Sequence, residues 1–130
     1  MASNTTLCAN TVNVKTLVSN AFQLGTEQIT ADGDASTSIP VTLLNKGSAL
    51  AVALPDADCD GQIKVFVNET AQAHVITPVT ESGEFTTITM NNTIGCVVVL
   101  VYVHATGWNM VMNCSGENAA HNAVAGQAAL

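Results

Sequence analysis

The densest run of possible ligands in this 130-residue chain is Asp56-Ala57-Asp58-Cys59-Asp60-Gly61. Calcium loops place carboxylate oxygens at alternate positions and use a glycine for the tight bend, and a hydrophobic residue such as Ile63 follows where they enter a strand. An EF-hand loop starting at Asp56 would need its bidentate glutamate where Val67 stands, and flanking helices are absent from the pattern. The run reads as an acidic turn. Asp56, Asp58 and Asp60 are at most weak calcium ligands, at an interface where another chain supplies further oxygens.

The other chemistry-bearing residues are dispersed. His74, His104 and His121 have neither HxH nor HExxH spacing, so each is expected as a satisfied surface or edge residue. Cys8, Cys59, Cys96 and Cys114 form no CxxC pair and permit three pairings if all are bridged. They are expected as free thiols, with Cys59 the most exposed and Cys96 buried in an apolar run. Gly33, Gly47 and Gly61 are isolated turn glycines and make no phosphate loop, and no serine stands in a nucleophile-elbow context. A glycosidase needs two carboxylates across one cleft, whereas here the acids cluster in turns. No catalytic residue and no cofactor is assigned, and the chain is read as a non-enzyme.

Three lysines, no arginine and ten carboxylates give a formal charge of -7, which disfavours nucleic acid and anionic membranes as partners. Apolar residues reach 48% and charged residues only 10%, so the polar surface must be built from Thr, Asn, Ser and Gln. The first residues show no secretory signal, and the sequons at Asn4, Asn68, Asn91 and Asn113 are expected to be chance matches.

The elements that must position these residues are strands. Cys96 to Val103 is a β-branched run with no internal glycine or proline. Ala105-Thr106-Gly107 turns it, and Trp108 to Met112 returns as its hairpin partner. Because the run scarcely alternates, both its faces are expected to be covered. Further strands are predicted at Glu27–Ala31, Ser38–Leu44, Ala49–Leu54, Gln62–Asn68, Ala73–Thr77 and Phe85–Met90, with Asp32-Gly33-Asp34 a turn. In Gln62–Asn68, Ile63, Val65 and Val67 share one face, and Lys64, Phe66 and Asn68 the half-polar other.

About eight short strands with no room for crossover helices indicate an all-β fold, a compact β-sandwich or jelly-roll-like barrel over residues 27–113. An N-terminal arm (1–26) and an alanine-rich C-terminal tail (114–130) flank it, and no internal duplication is visible. Val14, Leu17, Val18 and Phe22 could form a helical or extended docking face. Together with Phe66, read as a second core surface or subunit contact, Trp108, read as a core lid or subunit contact, Val124 and Leu130, they are the candidate partner-binding residues.

The ordered set Ala57-Asp58-Cys59-Asp60-Gly61-Gln62-Ile63-Lys64, Val75-Ile76-Thr77-Pro78, Thr86 to Met90, Gly95 to Tyr102 and Gly107-Trp108 resembles a small β-rich domain of virion structural proteins from marine tailed phages. The set spans roughly Glu27 to Asn113. Met90 departs from it, standing where an aromatic is common, and Cys59 and Cys96 are not features of it. The resemblance implies a virion location on the outer surface of the head, a decoration or cement role on the major capsid protein, and a homo-oligomer, commonly a trimer. The alternatives are a head-fibre or tail-associated adhesin, or a carbohydrate-binding module using Trp108 and Tyr102 or the acidic loop.

Overall fold

The computed structural model describes residues 15, 16, 18, 20–81 and 86–114. Among these there are nine strands and no helix: β1 (Thr26–Ile29), β2 (Gly33–Asp34), β3 (Val41–Leu44), β4 (Ala51–Leu54), β5 (Ile63–Asn68), β6 (Val75–Pro78), β7 (Ile88–Thr89), β8 (Val97–Val103) and β9 (Gly107–Asn113). They form a five-stranded sheet, β1-β3-β5-β8-β9, and a four-stranded sheet, β2-β4-β6-β7. The fold is all-β and sandwich-like, with one apolar core built from both sheets.

The winding differs from the expected connectivity. Successive strands alternate between the sheets, so β1, β3 and β5 run parallel in one and β2, β4 and β6 parallel in the other. A parallel pair needs a crossover of a dozen or more residues, usually a helix. Here each crossover is a strand of the opposite sheet. A jelly roll is built from antiparallel Greek keys, so the chain is not wound as one. Only β7, β8 and β9 close the stack with antiparallel pairings.

A repeat accompanies the winding. Val41 pairs with Val65 and Val52 with Ile76, and side chains bridge the coils at the same 24-residue offset. The Leu50 N–H donates to His74 Nδ1 at 2.9 Å, the Thr70 hydroxyl to the Lys46 carbonyl at 2.9 Å, and the Thr80 hydroxyl to Asp56 Oδ2 at 3.1 Å. The first coil is shorter, with Thr42 bonded to Glu27 across 15 residues.

The hairpin forms as expected, with a register shift between Val99 and Leu100. Gly107 makes its turn possible. Its φ is +81°, and a Cβ there would stand 2.5 Å from the Thr80 carbonyl oxygen. β8 is covered on one face only: Val98, Leu100 and Tyr102 are buried, while Val97, Val99, Val101 and Val103 are half-buried on the outer face.

β5 reverses its expected polarity. Lys64, Phe66 and Asn68 are all fully buried between the sheets, while Ile63 is 54% exposed and Val65 and Val67 are half-buried outside. Phe66 is thus a core residue with no surface for a partner. Across the sheet, the inner ladder reads Glu27, Thr42, Phe66, Val98, Asn113, and the outer one Thr26, Val41, Val65, Val99, Met112. The next outer ladder is Gln28, Leu43, Val67, Val97. This sheet buries Thr42, Lys64 and Asn68 among the core residues Leu44, Phe66, Val98 and Leu100, and its outer face is largely aliphatic.

Candidate functional site

The buried polar groups come first, since an ionisable group in a core is either satisfied or available for chemistry. Lys64 lies on β5 facing inward, and its Nζ donates to Glu27 Oε2 at 3.2 Å and to the Ser36 and Ile39 carbonyls at 2.6 and 2.7 Å. All three ammonium hydrogens therefore have an acceptor. Burial lowers the Lys64 pKa, opposed by the Glu27 charge. Glu27 accepts in addition from the Thr42 hydroxyl and the Ser36 N–H, at 2.6 and 2.9 Å. Burial alone would raise its carboxyl, but these donors and Lys64 hold it below the ordinary glutamate value.

His74, expected at the surface or an edge, is instead fully buried and equally committed. Thr70 spends its hydroxyl hydrogen on the Lys46 carbonyl, so its oxygen accepts from His74 Nε2 at 3.0 Å, which puts the proton on Nε2. Nδ1 then accepts from Leu50 N–H. That pattern requires a neutral ring, and burial, followed by the Lys46 charge, lowers the His74 pKa accordingly. Asn68 donates to the Gln72 and Asn91 carbonyls and accepts from the Thr70 N–H. These groups stitch coils together and offer no free base or nucleophile.

The acidic loop between β4 and β5 is held by Gln62. Its Oε1 accepts from the Asp58 and Cys59 N–H groups at 2.9 and 2.8 Å, and its Nε2 donates to the Thr37 carbonyl at 3.0 Å. The three aspartates are not gathered around one point. Asp56 takes the Thr80 hydroxyl, while Asp60 accepts from both the backbone N–H and Nδ1 of His104, each at 2.7 Å. The backbone bond from His104, then the ring, lowers the Asp60 pKa. Among the described residues no group of three or more His, Cys, Asp or Glu is placed to hold a metal. The Asp60–His104 pair is solvent-exposed.

Trp108 is fully buried at the end of the core, where its Nε1 donates to the Pro55 carbonyl at 2.8 Å and its ring packs edge-on against Tyr102 at 5.2 Å. It closes the core and presents no partner-binding surface. With Tyr102 also buried, neither aromatic can serve as a sugar-stacking platform. Burial, and then Asp56 and Asp60, raises the Tyr102 pKa.

The free-thiol expectation is overturned. Cys96 is disulfide-bonded to Cys114, and Cys59, expected to be exposed, is buried and also bridged. Buried thiols and bridged cysteines have the same apolar surroundings, and only the three-dimensional approach of β9 to the start of β8 distinguishes them. The sequon residue Asn68 is inaccessible inside the core.

What the surface offers is apolar. An open groove of about 440 Å³ is lined by Phe22, Leu24, Thr37, Ser38, Pro40 and the segment 61–63. No ionisable side chain lines it, so it can bind through apolar contact and a few hydroxyls. Of the candidate arm residues, Val18 and Phe22 are each 86% exposed. Val14, Leu17, Val124 and Leu130 lie outside the described residues. Sequence reasoning missed the groove because its lining comes from separate segments, and missed Glu27, whose role depends on meeting Lys64 across 37 residues.

No protein-family model matches the chain, and no curated protein matches it.

Proposed function

We propose that this chain is a virion structural protein, a decoration or cement protein that binds the major capsid protein on the outer surface of a tailed-phage head and stabilises the shell. The observation that carries this reading is the segment ahead of β1. Its Val18 and Phe22 stand 86% exposed, with Leu24 at 41%. A valine, a phenylalanine and a leucine exposed ahead of the first strand form a ready apolar anchor for a neighbouring surface. The ordered resemblance over Glu27 to Asn113 supplies the virion context.

Two further features support it. The buried ionisable groups Lys64, Glu27 and His74 are spent on coil-to-coil bonds, as suits a rigid building block. The Cys96–Cys114 disulfide suits a particle exposed to an oxidising exterior. The adhesin and sugar-binding alternatives lose Trp108 and Tyr102, both buried, and keep only the acidic loop.

The test mixes the purified full chain with preassembled shells that lack it. Saturable co-sedimentation and greater resistance of the shells to heat are expected, both reduced by Val18→Ser with Phe22→Ser. Absence of binding by a folded chain would overturn the proposal.

A further inference from the structure

The outer face of the five-stranded sheet has the composition of a core. One ladder places Val41, Val65, Val99 and Met112 side by side, and the next adds Leu43, Val67 and Val97. Ile63 and Val101 continue it toward the groove. None of these residues is charged, although the chain carries a net charge of -7. The polar groups lie at the margins: Thr26 and Gln28 on the edge strand β1, Gln28 bonded to Glu69 at 2.9 Å, and Asn109 on β9. An aliphatic centre with a polar rim is the anatomy of a protein interface. The outer face of the other sheet is smaller and more polar, presenting Ala51, Ala53, Val75, Thr77 and Thr89.

We infer that this face packs against the same face of a second copy of the chain. Charge permits this occupant on this face. Two copies of a strongly acidic protein repel each other through most of their surfaces, and this uncharged sheet face is where they can approach without opposing like charges. Geometry agrees, because a pleated aliphatic face is complementary to another such face at about 10 Å separation, and a patch that pairs with itself generates a two-fold dimer. Four strands at about 4.8 Å spacing and the length of β8 give a flat footprint of roughly 400 Å². Counting both copies, the relief of the side chains and the adjoining groove, the buried area is near the roughly 1,000 Å² at which specific interfaces begin. The pairing is accordingly of modest affinity and concentration-dependent. It does not depend on the virion reading.

Sedimentation velocity on the full-length chain, over roughly 1–100 μM, is the test. The mass is expected to rise from 13.4 kDa to about twice that across the range. Val65→Glu and Val99→Glu should each keep the chain monomeric, while Thr77→Glu, on the opposite sheet, should leave the rise intact. Buried Trp108 fluorescence reports whether each variant is folded. A parent chain that stays monomeric overturns the inference. So does association that persists in both folded glutamate variants. A trimer abolished by the same two variants would keep the face and a copy of the chain as its occupant while overturning the two-fold arrangement. Shell binding can fail with the mass change intact, or the reverse, so this inference and the proposed function are separately refutable.

Discussion

Replacing Glu27 by glutamine tests the inverted sheet at its most demanding point. The substitution keeps the shape but removes the charge facing Lys64, whose side chain is 1% exposed and whose other acceptors are two carbonyls. Breaking a buried ion pair costs about 3–5 kcal/mol because the surviving charge is uncompensated. Glu27 retains 20% exposure, which places the expected cost at the lower end, about 3 kcal/mol. Lys64→Met leaves the Ser36 and Ile39 carbonyls without their donor, at about 1–3 kcal/mol each, offset by the apolar surroundings a methionine gains. The double variant removes both charges, so its cost should fall well short of the sum, with a coupling of roughly 2 kcal/mol. Urea unfolding followed through Trp108, the one tryptophan, measures all four corners of the cycle. Single-variant costs below about 1 kcal/mol, or strict additivity, would describe a solvent-screened surface pair and refute the buried one.

Other expectations follow from the same contacts. Gly107→Ala places a Cβ against the Thr80 backbone at a left-handed φ, and should destabilise by about 2–4 kcal/mol in thermal unfolding. Gly95→Ala has the positive φ without the clash and should cost only about 1–2 kcal/mol. The His74 pKa is lowered on folding, so its contribution is fully present above its ordinary value of 6.5 and is lost as pH falls through the folded value. The lowered Glu27 carboxyl adds a second loss below 4.5. Urea midpoints at stepped pH should therefore decline below 6.5, and His74→Leu, though weaker at neutral pH, should lose that first decline. Cys96→Ala with Cys114→Ala opens a bridge spanning 18 residues and should lower stability by about 3 kcal/mol in denaturant melts, with reductant lowering the parent chain by more because it also opens the Cys59 bridge.

Strand positions were largely legible because β-branched runs and Gly, Asp and Asn turns act locally. Pro40 and Pro78 bracket β3 and β6 much as their missing N–H groups require. The winding was not legible. Val41 with Val65 and Val52 with Ile76 carry the 24-residue repeat, but stacked positions need only fit one another. Leu50 therefore stacks on His74 and Leu44 on Asn68 without resembling them. β2 was hidden because Asp32-Gly33-Asp34 has turn chemistry, and its two strand residues pair only because β4 lies alongside.

The face of β5 was misjudged for a related reason. Alternation shows which residues lie together, but polarity decides inside from outside only when the buried polar groups lack partners. Lys64 and Asn68 have theirs, supplied by Glu27, Ser36, Ile39 and Asn91 from distant parts of the chain and by nearby Gln72. The same effect removed Phe66 and Trp108 from the partner-binding set. It left the candidate surface on Val18, Phe22, the groove and the aliphatic outer ladders.

The five-stranded sheet encloses the charged Lys64 among its inner apolar residues and turns an aliphatic face outward, and amine labelling of the folded chain tests that enclosure most directly. The chain has three lysines, of which Lys15 is exposed, Lys46 retains 35% of its side-chain surface and Lys64 is enclosed. Brief acetylation followed by peptide mass analysis should modify Lys15 and Lys46 readily and leave Lys64 protected until the chain is unfolded. Modification of Lys64 at the rate of Lys15 in the folded protein would contradict the account.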